Sequence, residues 1–232
     1  MNWPNKRIII TGGSSGIGKQ LVSELSQKGA KIVFCGLEEH LVNEVTTAHN
    51  VHGITTDLCL DENIQSFFKQ AISYLGGVDI LINNAGYVIA EHFEDLQREH
   101  FEKMFAINAI APARLSQLVI PYFKKQNYGD IVNIGATGGA YAFEKGTAYS
   151  ASKSALSIIS KNLNLEFRKN HIRTFHVDPS WCTDTNNNNY GSPIPKNQDQ
   201  LNPEDISSLI LNLLEMNRRG LVPQMSIWGT QP

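Results

Sequence analysis

The stretch RIIITGGSSGIG, residues 7–18, decides the fold. Three consecutive isoleucines run into a turn with glycines at 12, 13, 16 and 18. A strand buried on both faces of a parallel sheet is continuously apolar rather than alternating. The glycines let the backbone turn sharply and approach a ligand with no Cβ in the way. Helical spacing follows over 16–28, so the free amides at the start of that helix face an anion, most simply a pyrophosphate. Tight strand–helix packing alone would also call for glycine, and an isolated glycine-rich turn is weak evidence. Its place at the first strand-to-helix turn is the usual mononucleotide position. The spacing G-x-x-x-G-x-G differs from the common G-x-G-x-x-G dinucleotide pattern and lacks the GK[ST] of an ATPase loop.

Working outward, short β-branched runs alternate with helical patterns. Strands are predicted at 7–11, 31–35, 52–56, 78–83, 130–134, 172–177 and 222–227. Helices are predicted at 16–28, 38–49, 61–75, 95–125, 147–169 and 203–216. Strand–helix–strand repetition of this kind predicts an α/β, doubly wound sheet of about seven parallel strands with right-handed crossovers. No repeat or composition shift divides the chain, so residues 1–232 are read as one domain. Residues 183–205 are nearly devoid of apolar side chains. A loop of that length in a compact domain is a functional lid or a disordered segment. Tyr190 and Ile194 are its groups able to close over a ligand.

The 232 residues, 41% hydrophobic and 18% charged, suit a soluble globular protein. A net charge of −2 and the lack of a Lys/Arg run argue against nucleic acid. No apolar stretch approaches the roughly 18 residues of a membrane span, and the isoleucine run is too short for a signal peptide. Cys35, Cys59 and Cys182 form neither a disulfide framework nor a metal knuckle, which suggests a reducing cytoplasm. The seven histidines show no ligand spacing, so no metal site is expected.

Tyr149 and Lys153 lie one helical turn apart among small residues, in the stretch TAYSASKSA. A free tyrosine, with a pKa of about 10, is a poor base near neutrality. A cation one turn away stabilises the phenolate and brings it toward the working pH. At such a pKa the phenol can exchange a proton with a ligand oxygen. An isolated pair of this kind would be an ordinary surface contact; the small neighbours and the upstream glycine loop point to chemistry instead.

Taken with the sequence NNAG at 83–86, the chain resembles the short-chain dehydrogenase/reductase family over nearly its whole length. The motifs fall in the family's order: the glycine loop, Asp57 after the third strand, NNAG after the fourth, Asn108 in the long helix, then YxxxK. The resemblance implies a Rossmann-type fold and an NAD(P)-dependent oxidoreductase interconverting a secondary alcohol and a carbonyl. It implies that Gly12, Ser14, Ser15, Gly16, Ile17 and Gly18 hold the pyrophosphate end of NAD or NADP. Asp57 and Leu58 would border the adenine; Asn84, Ala85 and Gly86 would line the cofactor channel. Tyr149 would be the acid/base, Lys153 the ribose anchor, and Asn108 the residue that positions a water in a proton relay. The helices around 101–125 and 149–167 pair across a two-fold axis in the family, implying a homodimer or homotetramer.

The chain departs from that pattern. The family's serine stands thirteen positions before the tyrosine, where this chain has Ala136. Thr137 is the adjacent hydroxyl, and it reaches the same face only where strand geometry has ended. Losing one preorganised donor costs on the order of 10²–10³ in rate. A slow enzyme is therefore expected, with a catalytically impaired, regulatory nucleotide-binding protein as the competing reading. The family's Pro-Gly after the sixth strand is Pro179-Ser180, and the following threonine arrives early, as Thr183; the resemblance implies that Pro179 and Thr183 contact the nicotinamide end of the cofactor. At the end of the second strand stand Gly36 and Leu37, then Glu38, which reaches a ribose or merely begins a helix. Without basic residues there, and with Ser15 where NADP-preferring members often carry Arg or Lys, NAD is mildly favoured. His92, Trp181, Tyr141 and Phe143 fall where the architecture puts pocket walls or simple packing.

Overall fold

The computed structural model describes residues 2–183 and 200–230. Among them, β1 (Arg7–Thr11), β2 (Lys31–Gly36), β3 (Val51–Thr55), β4 (Ile80–Asn83), β5 (Gly129–Ile134), β6 (Ile172–Pro179) and β7 (Gln224–Ile227) form one sheet. The order is β3-β2-β1-β4-β5-β6-β7, and every neighbouring pair is parallel. The order reverses between β1 and β4, which opens a crevice beyond their carboxyl ends.

Helices α1 (Gly16–Gln27), α2 (Glu39–Val45), α3 (Asp61–Leu75), α4 (Arg98–Phe105), α5 (Ala111–Gln126), α6 (Thr147–Phe167) and α7 (Pro203–Glu215) cover the sheet. The isoleucine run of β1 shows why both faces are apolar. Ile8 and Ile10 join a core with Leu21, Leu25, Ile206 and Ile210 from α1 and α7. Ile9 points the other way, into a core with Phe67, Leu115 and Phe123 from α3 and α5.

Most elements lie close to the predicted bounds, and two of the departures have a local reason. β4 begins at Ile80 rather than 78, because Asp79 is held by Arg7, whose Nη2 lies 2.8 Å from Oδ1. α2 ends at Val45, four residues early, where the Thr46 hydroxyl bonds back to Val42 O at 2.8 Å. That end falls in a run of β-branched residues of low helix propensity.

The helical stretch 98–126 is continuous through a five-residue π segment, Ala106–Ile110. By length and composition alone, with a mean hydropathy of 1.2 over its most apolar window, it meets the measure for a membrane span, as the core helix of a folded domain also can. Half of that window is buried inside the fold, with α5 packed on α3, β4 and β5. Of the segment 183–205 read as a functional lid or a disordered segment, residues 184–199, with Tyr190 and Ile194, lie outside the described residues. Its end is ordered: Cys182 bridges to Leu201, and Asp205 accepts a bond from Asn202 N at 2.8 Å as α7 begins.

Candidate active site

The glycine loop and the NNAG turn are fastened to each other. The Thr11 hydroxyl accepts bonds from Asn84 N and Ala85 N, both at 3.0 Å. The Asn84 amide donates to Thr11 O and Gly12 O, also at 3.0 Å each. The packing explains the glycines: a Cβ on Gly12, which has φ +65°, would meet Ala85 Cα at 2.9 Å, and one on Gly18 would collide with Gly12 O. Ser15 begins α1 without a side-chain cap, so the first amides of the helix keep their hydrogens for another acceptor.

One cleft of about 840 Å³ runs from this loop across the sheet ends. Gly12, Ser14, Ser15, Gly16 and Ile17 line it, as do Glu38, Asp57 and Leu58 beyond β2 and β3. Asn84, Ala85, Gly86, Thr137, Tyr149, Lys153 and Pro179 line its other parts. Three predicted site residues lie off its walls. Gly18 is buried beneath the loop. Asn108 is fully buried in the π segment. Thr183 is turned away: its hydroxyl donates to Asn202 Oδ1 at 2.7 Å, and its N–H to Leu201 O at 2.8 Å.

Lys153 is 4% exposed, and its ammonium donates to Ile134 O at 2.8 Å. Burial pushes its pKa down to about 8, with the nearby Asp178 carboxylate opposing that shift. Its Nζ lies 5.9 Å from the centre of the Tyr149 ring, which stands edge-on to Phe143 at 6.2 Å. Asn108 ties the turn after NNAG to α6. Its Oδ1 accepts from Tyr87 N at 2.8 Å, and its Nδ2 donates to Tyr87 O at 2.8 Å and Ser152 Oγ at 2.9 Å. A Cβ on Gly86 would lie 3.6 Å from both Asn108 Oδ1 and Lys153 Nζ, so the two groups approach the same point. A π segment is a frequent mark of a functional position.

The lowered Lys153 value has a testable sign. The unfolded chain holds this proton up to about 10.5, the folded one only to about 8. Between these values the unfolded state binds more protons, so stability rises with pH over that window. Urea unfolding of the ligand-free protein should show wild type gaining stability relative to Lys153→Met from pH 8 to 10. A constant difference would mean that the lysine is not held this way.

β5 ends at Ile134, and a single 3₁₀ turn, Thr137–Gly139, follows. Strand alternation has therefore stopped by residue 136, and Ala136 and Thr137 both line the cleft. Behind them lies a buried polar group that the sequence reading missed. His176 Nε2 is 2.9 Å from Asp178 Oδ1, and Asp178 also accepts from Ala136 N at 3.1 Å and from Gln224 Nε2 at 2.9 Å. A Cβ on Gly135 would collide with Asp178 Oδ1, so this pair requires the glycine that precedes Ala136. The available signal was a histidine and an aspartate inside the otherwise apolar FHVDP of β6. Among the predicted wall residues, Tyr141, Phe143 and Trp181 line the cleft; His92 is exposed and does not. Trp228, just beyond β7, is an additional wall. Among the described residues, no group of three His, Cys, Asp or Glu side chains is placed to hold a metal.

A family model described as short chain dehydrogenase matches residues 6–193. The chain belongs to that family. An uncharacterized oxidoreductase of Staphylococcus epidermidis is 30% identical over 75% of this short-chain dehydrogenase and 76% of the relative. One from Staphylococcus aureus is 26% identical over 96% of both chains. Among solved structures, the 3-ketoacyl-(acyl-carrier-protein) reductase from Brucella melitensis complexed with NADH superposes with a TM-score of 0.90. It is 21% identical, over 98% of each chain. A closed form of serine dehydrogenase complexed with NADP+ gives 0.88 at 22% identity, over 95% of this chain and 93% of the other. At such identities the structural likeness is one of fold.

Proposed function

We propose that this short-chain dehydrogenase is an NAD(P)-dependent oxidoreductase that interconverts a secondary alcohol and a carbonyl, with Tyr149 as acid/base. The observation that carries this reading is the opening of Tyr149 and the buried Lys153 ammonium onto the same cleft as the glycine loop. The cleft fits a dinucleotide: uncapped amides at the start of α1 suit a pyrophosphate, and the contacts at Gly12 leave no room for a side chain. When bound, the nicotinamide would supply or accept hydride. Lys153 holds positive charge near the Tyr149 ring, which favours the phenolate. Asn108 keeps the Tyr87 turn and α6 in place, and Thr137 offers a hydroxyl beside Ala136.

NAD is the cofactor we propose. Leu37 and Glu38 line the cleft beyond β2, where a carboxylate accepts from ribose hydroxyls and repels a 2′-phosphate. Calorimetric titration should show NADH binding about tenfold tighter than NADPH, as expected from one repulsive contact near a protein surface. Tighter NADPH binding would reverse the assignment, and no binding of either would remove the proposed function. Ala136 favours a second reading, a nucleotide-binding protein with little turnover, distinguished by the absence of NADH consumption across a carbonyl panel.

For assembly we propose a homodimer or homotetramer, supported by exposed Phe101, Tyr122, Ile158 and Leu165 on α4–α6. Sedimentation as a monomer would contradict it. Cytoplasmic residence is proposed from the three free thiols and is checked by cell fractionation.

A further inference from the structure

The cleft has two unlike halves. Its carboxylates gather on one side, where Glu38 and Asp57 follow β2 and β3; Lys103, on the α4 that follows β4, sets its ammonium 4.4 Å from the centre of the Tyr87 ring. On the opposite side of β1 the walls are rings. Tyr141 and Phe143 follow β5, Trp181 follows β6 and Trp228 follows β7, so three strand ends contribute to one aromatic group around Tyr149. The Tyr141 and Trp228 rings meet edge to face with centroids 5.6 Å apart. Tyr141 is 63% exposed, Trp228 54% and Trp181 50%. These large aromatic surfaces border a cleft instead of closing a core, and exposed apolar surface of that kind marks a binding site.

The chemistry of the remaining groups narrows the ligand. Among the described residues lining the cleft, Lys103 and Lys153 are the side-chain cations; Lys103 lies over the Tyr87 ring, and Lys153 is buried with its ammonium on Ile134 O. Among the described residues no other positive group lines the cleft to offset the desolvation of a carboxylate or phosphate on the substrate. Ala136 puts a methyl group on the wall at the position where the family pattern has a serine hydroxyl. We infer that the substrate is an uncharged carbonyl compound, or its secondary alcohol, whose reacting carbon carries a flat ring that packs among Tyr141, Trp181 and Trp228. This rests on the proposed oxidoreductase reading and extends it to a substrate class.

The test uses the full chain preloaded with NADH, with 2-acetonaphthone as the aryl ketone and pyruvate as the charged control. Calorimetry reads binding and NADH absorbance reads turnover. Binding of 2-acetonaphthone but not pyruvate is expected. Trp228→Ala and Tyr141→Ala should each weaken it about tenfold, the loss of one aromatic contact with its buried area. In turnover the same variants should raise KM for the aryl ketone far more than they lower kcat. Binding that depends on these rings without any NADH consumption would sustain the substrate-side assignment while overturning the oxidoreductase reading. Preference for pyruvate, or aryl-ketone binding indifferent to both substitutions, would overturn the inference itself.

Discussion

Tyr149→Phe is expected to lower kcat by about 10²–10⁴, the usual contribution of a positioned acid/base, while NADH affinity stays close to wild type. The substitution removes one oxygen and leaves the ring that stands edge-on to Phe143. It does not touch the Lys153 bond to Ile134 O or the fastening of the glycine loop to Asn84. Loss of activity with unchanged cofactor binding and an unchanged urea midpoint would assign the proton transfer to this hydroxyl. The measurement is initial NADH consumption with a ketone substrate, set beside a calorimetric NADH titration of the same preparations. If wild type and variant turn over at the same rate, proton transfer lies elsewhere. If both are inert yet bind NADH, the nucleotide-binding reading replaces the catalytic one.

The frame of this molecule was legible because period and punctuation agree along the chain. Ile8–Ile10 read as a buried parallel strand, and their alternation between two cores is what makes such a run apolar throughout. Pairwise tertiary arrangements were not legible. Asn108 could be singled out, yet nothing in AINAI announces a π segment or says that its amide binds Tyr87 and Ser152. Thr183 was assigned to the cofactor by its position after Pro179, but its hydroxyl closes on Asn202, nineteen residues onward across a bridge that sequence spacing does not encode. Trp228 follows the last strand and reaches the cleft only because β7 pairs in parallel with β6. The His176–Asp178 pair was visible as two polar residues in an apolar strand, but its need for Gly135 emerges only when β5 and β6 lie side by side.

Ala136→Ser should raise kcat, by up to about 10²-fold, because a donor aimed at a developing oxyanion contributes on that scale. Position 136 can accept the change. Its backbone is extended, with φ −167° and ψ 150°, its N–H is fixed on Asp178, and it already lines the cleft beside Tyr149. Position 135 cannot, since any Cβ there collides with the Asp178 carboxylate. How much the new hydroxyl adds depends on Thr137, which begins the 3₁₀ turn on the same cleft wall. If Thr137 now supplies part of the missing bond, Thr137→Val should slow the natural enzyme by about tenfold, a fraction of a full oxyanion donor. The same change in the Ala136→Ser background should then cost much less, because the serine takes over the role. Steady-state kinetics on the four proteins measures this coupling directly. Equal losses in both backgrounds would show that the two hydroxyls act independently. No loss in either would exclude Thr137 from the reacting oxygen and leave Tyr149 as its remaining side-chain donor.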